Sequence, residues 1–396
     1  MRALIVGSGI AGPVAAMALH RAGVESAVLE AYDRPADHAG LFLNLASNGL
    51  DALRTIGLDL AERVDGHPIP ELVFRSGRGK PLGRVRNGVR LDDGTVSECV
   101  RRSDLQRVLR EEAQAREISI RYGKRLERLE QNAGSVTAHL ADGTSETGDI
   151  LIGADGIHSR TRQLIQPESP PPTYTGQISV GGYSQLPDLE PTPGSQQFIF
   201  GRRAFFGYLV RDGGEVWWFA NAAHPVSSTV ELASVPPEQW RQRMLDLFAD
   251  DLPVIGRIIA ASSDRIGAHP VFDIATSRRW SRGPVVLVGD AVHATSPNAG
   301  QGASLAIEDA IVLAKCLRDI PQPANAFARY EQLRRERVEK VVAYSRKRGG
   351  NKTVGPIARL FRDAMMPLAL KLTASNTAHA WMYRYHIDWD APTVTP

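Results

Sequence analysis

The 396-residue sequence predicts a mixed α/β fold, α+β overall. A parallel-sheet domain is expected to be interleaved with a mainly antiparallel β-sheet domain and followed by C-terminal helices. An apolar run at 3–6 leads through a glycine-rich turn into a helical pattern, and similar buried-strand runs recur at 150–153 and 285–288. Alternating strand-like runs fill most of 173–223. Strands that alternate with helices favour a parallel sheet, whereas successive short strands favour an antiparallel one.

The glycine-rich turn follows the first strand directly. Gly7, Gly9 and Gly12 form the pattern G-x-G-x-x-G, in which the first glycine permits a tight turn. The second lets the backbone approach a pyrophosphate, and the third lets helix and strand pack closely. Pro13 falls in the first turn of the next helix, where a missing N–H costs little, and the free N–H groups of that turn suit phosphates.

A second strand at 27–29 ends at Glu30, whose carboxylate can hold ribose hydroxyls. Strand, turn, helix and acidic residue together predict a Rossmann-like domain that binds an adenine dinucleotide. The alternative for this stretch is a signal peptide, because Arg2 precedes a mostly apolar run. The interior glycines and Pro13 argue against that alternative.

Composition excludes several classes of protein. Lys and Arg number 47 against 44 Asp and Glu, without long blocks of like charge, so nucleic acid is not an expected partner. The two cysteines, Cys99 and Cys316, cannot form a metal site and are expected to be buried thiols in a reducing cytoplasm. No apolar run approaches the roughly 20 residues that span a bilayer, so no integral membrane association is expected.

Two further motifs lie at the ends of predicted strands. Asp155 and Gly156 follow the strand at 150–153, where open α/β sheets bind ligands, although a plain Asp-Gly turn would look the same. Asp290 follows the strand at 285–288. A loop with Pro297 then leads to Gly300-Gln301-Gly302, which opens a long helix whose first N–H groups favour negative charge, such as that of a reduced flavin.

These motifs, in this order, resemble those of the group A flavoprotein monooxygenases, the aromatic hydroxylases typified by 4-hydroxybenzoate hydroxylase. The resemblance rests on GSGIAG with Glu30, on Arg102 before SDLQRVL, on GADGIHSRTR and on GDAVHATSPNAGQG, and it covers nearly the whole chain. It departs from the family at Ser304, where many relatives have asparagine, and at Val292, where alanine is usual. The thioredoxin-like domain of larger relatives is not expected.

The resemblance implies FAD as the cofactor and assigns residues to it. Gly7, Gly9 and Gly12 would bind the diphosphate and Glu30 the adenosine ribose, and Arg102 would contact the diphosphate or ribityl region. Asp155 would lie between the diphosphate and the route of the nicotinamide donor, and Asp290 would bind the ribityl chain. Pro297 would lie by the reactive face of the ring, and Gly300, Gln301 and Gly302 would face its pyrimidine edge.

The implied reaction consumes NADPH or NADH and O2. A flavin hydroperoxide would transfer one oxygen atom to a small aromatic or polycyclic substrate, by hydroxylation, epoxidation or Baeyer–Villiger insertion. The alternatives are a flavin-dependent reductase or dehydrogenase, a halogenase of the same superfamily, and a non-catalytic FAD-binding protein. The halogenase segment W-x-W-x-I-P is missing, because the sequence has only the adjacent Trp217-Trp218 pair.

The predicted catalytic residues, besides Pro297, come from the β-rich region, where a base or relay could line the cavity: Arg202, Tyr208 and His224. About half of the aromatic residues at 205–219 are expected to line a pocket, because neighbours in a strand point to opposite faces. His293 is expected to fix its loop by hydrogen bonding. The charges around Arg334 and Arg337 are expected to pair at the surface.

The predicted FAD-binding domain is discontinuous and comprises 1–70, 98–172 and 272–350. The substrate-binding β-sheet domain comprises 71–97 and 173–271, and residues 351–396 form a C-terminal helical segment. Ser103 and Gln106 predict a capping box at the start of a helix, directly after Arg102. The protein is expected to be a monomer or a homodimer.

Overall fold

The structure is a computed structural model that describes residues 1–35, 40–274, 277–348, 355–373 and 379–393. Its strands are β1 (Arg2–Val6), β2 (Glu25–Leu29), β3 (Phe42–Leu45), β4 (His67–Pro68), β5 (Glu71–Ser76), β6 (Pro81–Arg86), β7 (Glu98–Arg101), β8 (Ser119–Arg121), β9 (Leu126–Asn132), β10 (Ser135–Leu140), β11 (Ser145–Gly148), β12 (Ile150–Gly153), β13 (Thr173–Gln185), β14 (Ser195–Phe200), β15 (Ala204–Val210), β16 (Glu215–Ala223), β17 (Gly267–Asp273), β18 (Ser281–Arg282) and β19 (Val285–Leu287).

The α-helices are α1 (Ala11–Arg21), α2 (Ser47–Arg54), α3 (Arg102–Ala115), α4 (Arg160–Ile165), α5 (Thr229–Ala233), α6 (Pro237–Leu247), α7 (Pro253–Ala260), α8 (Gly302–Asp319), α9 (Pro323–Arg348), α10 (Pro356–Thr373) and α11 (Ala380–Tyr383). Short 3₁₀ turns at Asp212–Gly214, Gly289–Ala291 and Pro297–Ala299 complete the helical elements of the described residues. No helix among these residues is long and apolar enough to cross a membrane.

The six-stranded sheet has the order β18-β19-β12-β1-β2-β8 and is parallel from β19 to β8. The residues of β1, β12 and β19 are almost all buried, as expected for strands covered on both faces. Because β1, β12 and β19 are neighbours and run in the same direction, their carboxyl ends meet at one edge. This edge brings the three sequence motifs together.

The seven-stranded sheet has the order β17-β13-β16-β15-β14-β5-β6 and is antiparallel except where β14 pairs with β5. Strands from 71–86 and from 173–273 therefore share one sheet, and two three-stranded sheets, β11-β10-β9 and β3-β7-β4, accompany it. One face of the large sheet packs Phe206 and Trp218 against helices α6 and α7. The other face turns towards the parallel-sheet domain.

In the C-terminal helical segment predicted at 351–396, the two described parts pack against different sheets. Helix α10 packs on β6 of the large sheet. Met382, Ile387 and Trp389 instead belong to the core of the parallel-sheet domain. Backbone carbonyls of this last stretch accept hydrogen bonds from arginines of α8 and α9, which fixes it to that core.

Two predictions about local structure are wrong. Helix α3 begins at Arg102 and its N-cap is Arg101, without a side-chain cap, because β7 runs straight into the helix. Ser103 and Gln106 therefore form no capping box. Arg334 is fully buried between Glu308 and Asp309 instead of pairing at the surface, and Arg337 also reaches Glu308. The sequence pattern missed these pairs because their acidic partners lie on another helix.

Candidate FAD site and substrate chamber

A cavity of about 670 Å³ opens at the carboxyl ends of β1, β12 and β19 and extends to the large sheet. Its lining includes part of all three motifs: Gly9 from the first, Ala154 and Gly156 from the second, and Asp290, Pro297 and Gly300 to Gly302 from the third. Arg102, at the start of α3, also lines it. The three separated segments therefore converge on one groove.

The glycine turn has the geometry that a nucleotide-binding loop requires. Gly7 has a φ of +102°, and a Cβ there would lie 2.6 Å from the carbonyl oxygen of Ala154. A Cβ on Gly12 would lie 1.9 Å from the carbonyl oxygen of Gly7. A Cβ on Gly9 would meet nothing within 4 Å, because Gly9 faces the groove. Two glycines are thus required by packing, and the third leaves room for a ligand.

The side chain of Glu30 binds the backbone of the glycine turn. Its carboxylate accepts hydrogen bonds from the backbone N–H of Ser8, at 2.7 Å, and from that of Tyr32, at 3.0 Å. The side chain is half-buried and lies beside the glycine turn, although it does not line the cavity. Glu30 directly follows β2, and this is the position from which an acidic residue binds the ribose in dinucleotide-binding folds.

Asp155 organises the turn after β12. It accepts hydrogen bonds from the hydroxyl of Ser159, at 2.5 Å, and from the backbone N–H of Thr161, at 2.8 Å. Burial raises the pKa of its carboxyl, and these hydrogen bonds act in the opposite direction. The side chain is turned towards the start of α4, so its neighbours Ala154 and Gly156 line the cavity in its place.

The third motif forms the floor of the groove. The Asp290 side chain opens into the cavity. Desolvation by the surrounding protein raises the pKa of its carboxyl above the ordinary value. Gly300 has a φ of +61°, which reverses the chain so that Gly302 starts α8 with its N–H groups free of intrahelical partners. Gln301 is fully buried and its side-chain amide pairs with that of Asn48 at 3.0 Å.

A buried charge network supports this floor from below. His293 contacts the carboxylate of Asp309, which also accepts hydrogen bonds from the backbone N–H of Gly289, at 3.0 Å, and from Arg334, at 2.7 Å. Burial alone would raise the pKa of Asp309, but His293 and Arg334 lower it to about 2. The structure confirms that His293 fixes its loop.

The end of the cavity next to the large sheet is an apolar chamber. Phe198, Phe205 and Phe219 form an aromatic cluster with ring centroids 5.2–6.1 Å apart. Leu72 and Val85 add aliphatic wall. Gln196 and Asn221 bring two amides, and the buried Oδ1 of Asn221 has no hydrogen-bond partner among the described residues.

The structure does not bring three of the predicted catalytic residues to this chamber. Tyr208 lies on the opposite face of β15, in the core against α6 and α7. Arg202 is exposed in a turn and pairs with Asp250 at 3.4 Å. His224 lies beyond the end of β16, with Nδ1 2.8 Å from the carbonyl oxygen of Pro225. Pro297 does line the cavity.

Sequence reasoning missed Phe198, Gln196 and Asn221. Strand alternation was the available signal, because residues 196 and 198 share one face of β14 and residues 219 and 221 share one face of β16. It could not decide which face is turned to the cavity. That choice depends on where α6 and α7 pack.

Comparison with known proteins adds the decisive observation, since the family described as the FAD binding domain matches residues 1–345. The chain belongs to this family. The FAD-dependent urate hydroxylase of Klebsiella pneumoniae is 31% identical over 355 residues, covering 88% of this chain and 89% of the relative. A 3-amino-4-hydroxybenzoate 2-monooxygenase of Streptomyces platensis is 34% identical over 406 residues, with 97% and 96% covered.

A crystal structure of Klebsiella pneumoniae HpxO with FAD and uric acid superimposes with a TM-score of 0.85 at 26% identity, covering 96% of each chain. These likenesses confirm the predicted fold, FAD as the cofactor and an FAD-dependent monooxygenase. The residues of this member of the FAD-binding family also fit the cofactor. The open face of Gly9, the free helix start at Gly302 and the carboxylate of Asp290 lie along one groove.

Proposed function

We propose that the protein consumes NADH or NADPH and O2 to insert one oxygen atom into a small aromatic or polycyclic molecule held in the apolar chamber. The observation that carries this proposal is the continuity of the aromatic chamber with the groove formed by the three motifs. Bound FAD supplies the oxygen-transfer chemistry, and the protein supplies orientation and exclusion of water.

Segments 1–70, 98–172 and 272–350 would bind FAD, and 71–97 and 173–271 would bind the substrate. We assign the diphosphate to the glycine turn, the adenosine ribose to Glu30 and the ribityl chain to Asp290. Gly300, Gln301 and Gly302 would face the pyrimidine edge of the ring. The N–H of Gly300 already donates to the carbonyl oxygen of Pro297, at 3.1 Å, so the amides that follow it would stabilise negative charge there. Arg102 would contact the diphosphate or ribityl region, and the turn at Asp155 would lie between the diphosphate and the route of the nicotinamide donor. Pro297 would lie by the reactive face of the ring.

The chamber walls support an aromatic substrate. Rings at Phe198, Phe205 and Phe219 offer edge and face contacts to a planar ligand. The amides of Gln196 and Asn221, which line the cavity, would form hydrogen bonds with polar substituents of the ring. The named relatives oxidise urate and an aminohydroxybenzoate, which agrees with a ring that carries polar groups. The buried thiols of Cys99 and Cys316 agree with a cytoplasmic enzyme.

The test is a screen of phenols, nitrogen heteroaromatics and polycyclic quinones for stimulated NADH or NADPH oxidation, with mass spectrometry of the products. Addition of one oxygen atom is the expected result. A gain or loss of hydrogen alone would indicate a reductase or dehydrogenase, and halogen incorporation a halogenase. A colourless protein that takes up no FAD would overturn the proposal altogether.

Asn221→Leu, which keeps the side-chain volume, tests the chamber itself. We expect KM for the substrate to rise about tenfold, as for a lost hydrogen bond of about 1.4 kcal/mol, with unchanged FAD content. An unchanged KM would remove Asn221 from the substrate site.

A further inference from the structure

Helix α10 exposes apolar side chains where a surface helix would normally carry polar ones. Of the ten large apolar side chains that are exposed in the described residues, five lie on this helix. They are Ile357 (85% exposed), Leu360 (71%), Phe361 (68%), Met365 (46%) and Leu368 (56%). At about 100° per residue they occupy one continuous arc of roughly 140°, which defines an apolar face.

Two charged residues of α10, Arg362 and Asp363, contact the rest of the protein. Arg362 stacks over the ring of Phe200 at 4.7 Å and pairs with Asp363 at 2.8 Å. The backbone carbonyl of Asp363 accepts a hydrogen bond from Lys80 at 3.0 Å. These contacts hold the helix on the sheet, and the apolar face stays exposed among the residues that the structure describes. This orientation indicates an interaction surface, because the reverse would bury more apolar area.

Basic residues outnumber acidic ones in α10 and in the hairpin on which it packs. The β5–β6 hairpin and α10, residues 71–86 and 356–371, contain eight Lys or Arg residues and only two acidic ones, Glu71 and Asp363. Arg78 and Lys80 of the hairpin turn and Lys371 of α10 are exposed. Arg84 and Arg86 leave β6 on the other face of the sheet, because they alternate with Gly83, which lies against Leu370 of α10. An apolar helix face flanked by basic residues is complementary to an anionic lipid surface, in which the hydrocarbon chains lie beneath negatively charged headgroups.

We propose that α10 docks this protein on the surface of an anionic phospholipid bilayer. The apolar face would lie in the interface, and the exposed basic residues would contact lipid phosphates. The helix would lie on the membrane without crossing it. A second copy of the chain is the less favourable partner, because a symmetric contact would bring two sets of basic residues together.

This docking also specifies a substrate class, and that part rests on the proposed function. Leu370, on the inner side of α10, lines the cavity together with Val85 and Arg86 of β6. The docked helix would thus lie between the bilayer and the chamber. The favoured substrates are lipid-soluble aromatic compounds, which would pass from the membrane into the chamber without crossing bulk water.

The test is sedimentation of the FAD-loaded full-length protein with vesicles. Vesicles that contain phosphatidylglycerol should bind at least about tenfold more protein than pure phosphatidylcholine, and added salt should weaken binding. The double variant Leu360→Ser/Phe361→Ser should lose at least about tenfold in vesicle binding, since each lost side chain removes buried apolar area. The matched control is Val226→Ser/Val230→Ser, two exposed valines away from this helix, which should bind as the unaltered protein does.

Other outcomes overturn the inference. Binding that is equal for both vesicle types, absent, or unaffected by the Leu360/Phe361 variant would refute membrane docking. A dimer in light scattering that this variant abolishes, without vesicle binding, would assign the face to a second copy. Vesicle binding without oxygen insertion into any aromatic compound would refute the proposed function alone. Oxygen insertion without vesicle binding would refute the docking alone.

Discussion

Gly9 and Gly12 belong to one turn but differ in what an added methyl group would meet. We expect Gly9→Ala to keep the fold and lose FAD affinity, because the new Cβ enters only the open groove. Gly12→Ala should lower the free energy of unfolding by about 1–3 kcal/mol, because its Cβ would lie 1.9 Å from the carbonyl oxygen of Gly7. FAD titration and urea unfolding of both variants distinguish the two effects. Similar losses of stability in both would contradict the assignment of Gly9 to the cofactor.

Asp290 is the carboxylate that opens into the groove, so its removal should act on the cofactor more than on the fold. We expect Asp290→Ala to weaken FAD binding by roughly 10–100-fold, as for one or two lost hydrogen bonds to a charged group. Asp290→Asn, which keeps the size and one acceptor, should lose less. Fluorescence titration of the apoprotein with FAD measures both, and unchanged flavin content in Asp290→Ala would contradict the proposed ribityl contact.

The role of a single residue was predictable from the sequence where its backbone conformation decides that role. It was not predictable where the role depends on the direction in which the side chain points. Gly7 and Gly12 were predictable because only glycine fits such close backbone contacts. Tyr208 was not, because residues 205–208 alternate between two faces and both faces of β15 are buried. Only the packing of α6 and α7 reveals which face is left to the chamber.

At the scale of elements, Asp309 in the middle of α8 joins this helix to the turn at 289–291. The pKa of Asp309 is about 2 in the folded protein, below its ordinary value of 3.8, so the carboxylate stabilises the fold above about pH 4. This contribution is lost as pH falls from about 4 through 2. We expect Asp309→Asn to lower the free energy of unfolding by about 2 kcal/mol at neutral pH, with a difference that shrinks as the pH falls through this range.

Urea unfolding at several pH values between about 3 and 7 measures this difference. Asp264→Asn is the control, since the Asp264 side chain is 99% exposed and should change stability little at any pH. A difference that does not depend on pH would show that Asp309 acts only through its shape and hydrogen bonds.

The position of β1 and the start of α8 were predictable to within two residues, and the strand-rich stretch from β13 to β16 was predictable as a whole. The charge network was not predictable, because Arg334 on α9 pairs with Glu308 and Asp309 on α8. Such pairs depend on helix packing and leave no trace in the local charge pattern, where Arg335 with Glu331 and Glu339 does pair along the helix surface. The alternating charges of α9 therefore include both buried and surface arginines, and the sequence does not distinguish them.

At the scale of the whole molecule, the last described residues close the core of the parallel-sheet domain. Trp389 is buried between Arg21 of α1, at 4.8 Å, and Arg318 of α8, at 5.1 Å. These two helices also pack on each other beside the groove, since α1 follows the glycine turn and α8 follows the third motif. The chain end is therefore part of the structure that holds the cofactor loops together.

We accordingly expect Trp389→Ala to lower the free energy of unfolding by about 3–5 kcal/mol, the usual cost of removing a buried tryptophan. The thermal midpoint should fall both with and without FAD, because the loss lies in the core and not in a ligand contact. Arg384→Ala, an exposed residue of the same stretch, is the matched control and should stay within about 0.5 kcal/mol of the unaltered protein. If Trp389→Ala behaved like this control, Trp389 would contribute nothing to the core of the parallel-sheet domain.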